Sequence, residues 1–150
     1  MLRLVLGLAA ALAPAAAQLR EVTVTLAPTE CAACTSSLPA RLARVRGVAG
    51  AEMLADPPRV LIRLEADNRV HLTRLLDVVR QDGTGATAAR LAASGEALLQ
   101  EGAWRFRILP GAAALAWQGP PPAAPGRVAV TGSLVPPFAA IEVEEAKPLP

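Results

Sequence analysis

The sequence predicts an α+β chain: a ferredoxin-like βαββαβ sandwich over residues 18–92, then a small all-β module over 103–147. Three observations lead there. Arg20 to Ala27 (REVTVTLA) alternates, with Val22, Val24 and Leu26 on one face and Glu21, Thr23 and Thr25 on the other. Two later stretches carry helical stripes instead, Leu38-Leu42-Val45 and Leu72-Leu75-Leu76-Val79. The last third breaks into short alternating runs separated by Gly and Pro turns.

Each element follows in chain order. Pro28 ends the first strand, and Thr29 to Cys34 reads as a loop. Pro39 is tolerated only in the first turn of a helix, so regular helix is expected to begin near Ser36 or Ser37, with one of them as its cap. Arg41, Arg44 and Arg46 fall off the apolar stripe, and Gly47 is a natural stop. Val48 to Ala55 and Val60 to Glu65 form a hairpin around Asp56-Pro57-Pro58-Arg59. Asn68 is a good N-cap for the second helix, which Asp82-Gly83-Thr84-Gly85 terminates. Ala86 to Leu91 reads as a short last strand, and 93–102 as a connector. Beyond it, Trp104, Phe106 and Ile108 alternate with arginines, Leu115 and Trp117 suggest a second strand, and Val128/Val130 and Ile141/Val143 suggest two more. This third is too small to hold a large core alone, so it is expected to pack on the first unit. Its ending, VAVTGSL…IEVEEAKPL, resembles the closing strands of small OB-like barrels.

The N-terminus, MLRLVLGLAAALAPAAAQ, combines a positive Arg3, an apolar run from Leu4 to Ala13, and small residues before Gln18. That pattern predicts a secretory signal peptide over 1–17, cleaved after Ala17, and hence a periplasmic or secreted protein without stable membrane insertion. The apolar run is short for a span and is interrupted by Pro14. The formal net charge of +2 would fall by one with Arg3, which gives no electrostatic footprint for nucleic acid. In an exported protein disulfides can form.

The chain has two cysteines, Cys31 and Cys34, spaced CAAC between the first strand and the first helix. Together with VTVTLAPTECAAC, the stripe ending in Arg46-Gly47-Val48, the strand PPRVLIRL and the segment LLDVVRQDG, this placement resembles the heavy-metal-associated domain. That family includes periplasmic mercuric-ion-binding proteins and copper chaperones. The resemblance covers residues 20–91. It implies a metal site at Cys31 and Cys34, and a partner such as a metal transporter or another thiol-bearing envelope protein. The chain departs from the family pattern in three places. Pro28-Thr29-Glu30 stands where Gly-Met-Thr is usual, Pro39 interrupts the helix start, and Gly83-Thr84-Gly85 replaces an aromatic or lysine near the metal.

The chemistry agrees with that implication. Two thiolates on a tight loop suit a soft ion, Cu(I) first, then Hg(II), with Zn(II) behind them because a closed zinc site takes four ligands. His71, on the second helix, has no companion at metal-ligand spacing and reads as an exposed helical histidine. The expected function is binding and transfer of a soft metal ion, with no bond-making chemistry on a substrate and so no enzyme. Two alternatives use the same chain differently. One is a thiol–disulfide redox protein. The other is a non-catalytic envelope interaction module whose metal-binding fold is degenerate.

Overall fold

The computed structural model describes residues 18–29 and 31–150. The predicted signal peptide with its cleavage site, and Glu30, lie outside the described residues. Eight strands and three short helices follow in the order β1 (Gln18–Leu26), α1 (Ala32–Ser36), α2 (Leu38–Ala43), β2 (Val48–Leu54), β3 (Arg59–Leu64), α3 (Leu72–Arg80), β4 (Ala86–Gln100), β5 (Ala103–Arg107), β6 (Leu115–Gln118), β7 (Gly126–Leu134) and β8 (Ala140–Pro148).

The expected ferredoxin-like βαββαβ sandwich followed by a small all-β module is not the architecture. All eight strands belong to one mixed sheet, in the order β2-β3-β1-β4-β5-β6-β8-β7. Strand accounts for 48% and helix for 15% of the structure. The cause is β4. The stretch expected as a connector is its second half, and β4 runs 15 residues without a break. One edge of β4 pairs first with β1 and then with β5. Its other edge pairs with β7 from Ala89 to Ala97. The parallel β6–β8 pair and the β7–β8 pair complete the circuit. Strands β4 to β8 therefore close into a five-stranded barrel of the OB-like kind, and β4 is at once a barrel strand and a strand of the open sheet.

The alternation in β1 dictates its burial. Val22 and Val24 are fully buried. Val22 stands between Ile62 on β3 and Leu91 on β4, and Val24 between Val60 and Ala89. Against these rows lie Leu38 and Leu42 of α2 and Leu75, Leu76 and Val79 of α3. Each such side chain contributes about 1.5–3 kcal/mol when fully buried. Inside the barrel, Phe106, Val128, Val130 and Ile141 are buried in the same continuous core. Trp117 meets the Phe106 ring edge-on at 6.3 Å; Phe106 and Phe138 are buried, and Trp104 and Trp117 pack half-buried against that core.

Asn68 does not cap α3. The N-cap residue is His71, which makes no side-chain cap bond. Asn68 is instead 7% exposed and acts as a brace. Its Nδ2 donates to the carbonyls of Leu19 (2.8 Å) and Glu65 (2.7 Å), and its Oδ1 accepts the Val70 N–H (3.1 Å). Asn68→Ala strands those backbone groups in the interior and is expected to cost about 2 kcal/mol. A urea unfolding series reads this directly; a loss below about 0.5 kcal/mol, the range of ordinary surface changes, would show that the brace is dispensable.

Candidate functional site

Cys31 and Cys34 lie after the last residue of β1, as the resemblance implies, but the segment holding them is not a loop. It forms the one-turn helix α1, with Cys31 at its N-cap. Pro39 explains why α1 stops. It has no N–H to offer the Thr35 carbonyl, so the helix cannot run through it. The chain restarts as α2 at Leu38, with Pro39 in the first turn, where its missing donor costs little. Ser37 is the N-cap of α2 but makes no cap bond; its hydroxyl donates back to the Cys34 carbonyl at 3.3 Å. The hydroxyls of Thr35 and Ser36 likewise donate to Ala32 and Ala33 carbonyls, both at 3.1 Å.

The two cysteines are joined as a disulfide, with Cα atoms 5.3 Å apart. Cys31 is exposed and Cys34 half-buried. The Cys34 N–H donates to Cys31 Sγ at 3.2 Å, and the Cys31 N–H donates to the Thr29 hydroxyl at 3.1 Å. Thr29, standing where the family's methionine is usual, thus anchors the segment by a hydrogen bond rather than by apolar packing.

A second group of residues, not visible in the sequence, fixes this segment to the rest of the fold. Arg41 of α2 donates to the Val78 carbonyl at 3.0 Å, to the Cys34 carbonyl at 3.5 Å and to Asp82 Oδ2 at 2.7 Å. Asp82 Oδ1 accepts both the hydroxyl (2.8 Å) and the N–H (3.2 Å) of Thr84, which is buried. One guanidinium therefore ties the cysteine turn, the end of α3 and the α3–β4 loop together. Arg41 and Asp82 are 41 residues apart, and no local pattern marks them as partners. Asp-Gly-Thr-Gly read as a turn, which it is, but the turn's aspartate has a second task.

The Asp82 carboxyl is held below its ordinary value. The Thr84 hydroxyl is the largest cause, the Thr84 N–H and Arg41 add to it, and partial burial opposes them. A carboxyl whose pKa is lower folded than unfolded stabilises the fold above the unfolded value and loses that contribution as pH falls through the folded one. Wild type should therefore lose stability below about pH 4 relative to Asp82→Asn, which has no group to titrate there. In paired urea titrations the gap between the two proteins is expected to be open at pH 6 and to shrink below about pH 4. A constant gap would mean the carboxylate charge contributes nothing.

His71 stands at the start of α3 and is exposed. It is not gathered with the cysteines: among the described residues no three of His, Cys, Asp and Glu converge as a metal-holding group. The site as described offers two sulfurs. No helix among the described residues is long and apolar enough to cross a membrane. Comparison with family models, curated proteins and solved structures returns no match.

Proposed function

We propose that the reduced Cys31–Cys34 pair binds and hands on a soft metal ion, Cu(I) in preference to Hg(II), in an exported protein. The observation that carries this reading is the disposition of the sulfurs. They are adjacent, Cys31 is exposed and Cys34 half-buried, and Cys31 Sγ already accepts the Cys34 N–H. Two thiolates with no third ligand suit a two-coordinate soft ion and fall short of a closed tetrahedral zinc site.

The disulfide sets the order of events. A dithiol reductant supplies two electrons and two protons, the S–S bond breaks, and two thiols form while the reductant becomes a disulfide. The metal then displaces the thiol protons as it binds. Transfer proceeds when a thiolate of the acceptor, a transporter or another envelope protein, enters the coordination sphere and one cysteine leaves. Exposed Cys31 is the sulfur an acceptor can reach first.

A second reading is favoured by the bonded state itself: an exposed disulfide is also a thiol–disulfide exchange site. One experiment separates the two. The protein is titrated anaerobically with Cu(I) against a competing chelator, in reduced and oxidised forms, with thiols counted before and after. The metal reading expects one ion bound and both thiols protected in the reduced form, and no binding in the oxidised form. Failure of the reduced form to compete, together with catalysis of insulin reduction, would replace it with the redox reading.

A further inference from the structure

An opening with an apolar floor lies remote in sequence from the cysteines. It is a cleft of about 310 Å³ between α3 and two barrel loops, β5–β6 and β7–β8. Its floor is apolar and mostly buried: Leu72 and Leu76 from α3, Ile108, Leu109 and Leu115 from the β5–β6 segment, and Phe138. Ligand sites favour such concave seams between packed units, with an apolar body and a few polar groups at the rim.

The rim gives the ligand's charge. Arg80 lies over the Phe138 ring, 5.4 Å from its centroid, and makes no ion pair among the described residues. An arginine that rests over an aromatic face and has no ion-pair partner has N–H groups to offer a carboxylate. The first turn of α3 opens on the same cleft, and His71 gives it no side-chain cap. Asp77 is the one acidic residue on the lining. Phe138 adopts φ 60°, a left-handed conformation that costs a non-glycine residue energy. That conformation accompanies the placement of its ring beneath Arg80.

We propose that this cleft binds a small monocarboxylate with an apolar body, its chain on the Leu72–Leu76–Phe138 floor and its carboxylate on Arg80. The proposal does not depend on the cysteines: the ligand needs neither metal nor thiol. The reducible pair and the cleft lie on different segments and are loaded separately.

The full chain is titrated with octanoate, followed by calorimetry and by backbone amide shifts, with octylamine as the opposite-charge probe of the same length. Octanoate is expected to shift residues of 71–80, 108–115 and Phe138, while octylamine does not. Arg80→Gln is expected to weaken octanoate about tenfold or more. Ala113→Trp, at an exposed lining position, is expected to block the cleft without touching the core. Amide spectra of both variants show whether they are folded. No shift at millimolar octanoate, shifts outside the cleft, equal binding of octylamine, or unchanged affinity in folded Arg80→Gln would each overturn the proposal.

Discussion

Cys31→Ser/Cys34→Ser is expected to reduce Cu(I) binding to the background of a protein with no thiol, whatever reductant is present. The expectation follows from the inventory at the site. The chain has two cysteines, and among the described residues no His, Asp or Glu joins them as a third ligand. A serine hydroxyl is a hard, protonated oxygen that a soft ion does not prefer. The single variants are expected to differ from each other. Cys34→Ser leaves Cys31, the exposed sulfur that receives an N–H bond, and should retain weak one-thiolate binding. Cys31→Ser leaves only the half-buried sulfur and should retain less. All three variants should keep the wild-type circular dichroism. The cysteines are separated by 3 positions in sequence, so removing the disulfide returns little entropy to the unfolded chain. The anchors of this segment, Arg41, Asp82 and Thr84, are also untouched. A double variant that held Cu(I) against the chelator as wild type does would remove the metal function from this pair.

Gly95→Ala is expected to be among the most destabilising single-methyl changes in the chain. Gly95 lies in β4, one residue before the strand takes up β5 as its neighbour. A Cβ there would run into the Arg107 carbonyl and lie 2.8 Å from Phe106 Cε2. The ring could turn aside, but the carbonyl is backbone of the paired strand. Room can come only from prying β5 off β4, which breaks the ladder between Glu96 and Arg107 and displaces the central ring of the barrel core. Overpacking of this kind costs about 1–3 kcal/mol, and a branched residue more. For a chain of this size about 2 kcal/mol lowers the unfolding midpoint by several degrees. Gly50→Ala is the control. Gly50 sits in the edge strand β2 with nothing within 4 Å of a built Cβ, so the same chemical change should be nearly neutral. Near-ultraviolet circular dichroism, which senses the Phe106–Trp117 contact, should change for Gly95→Ala and not for Gly50→Ala. Equal midpoints for the two variants would mean that the barrel closes more loosely than this packing implies. Gly132 makes a similar approach on the far side, where a Cβ would lie 2.8 Å from Ile141 Cγ1.

By itself the sequence determined the local elements and the chemistry-bearing pair. Alternation placed β1, β3 and the strands of the last third. The apolar stripes placed the buried faces of α2 and α3, and Pro39 marked where regular helix begins at α2, but not the one-turn helix α1 before it. All of these are consequences of side-chain periodicity and missing donors, which act over a few residues. The CAAC spacing and its position after β1 were equally legible, because two thiols separated by two residues meet when the backbone turns, as it does in α1.

The architecture was decided by tertiary pairing. Residues 93–102, rich in small side chains, looked like a connector because Ala, Ser and Gly have weak strand preference. Through Gln100 they form strand because both edges of β4 find partners, and because Gly95 leaves room for the Arg107 carbonyl and the Phe106 ring. That closure overturned the ferredoxin-like expectation and joined the two halves into one sheet. The surroundings of the cysteines were decided in the same way. Arg41 meets Asp82 only because α2 and the α3–β4 loop are packed side by side, and Asn68 braces Leu19 rather than capping α3 because β1 runs past it. Hydrogen bonds between groups about 40 or 50 residues apart leave no period in a sequence; they exist only once the sheet has set the distances.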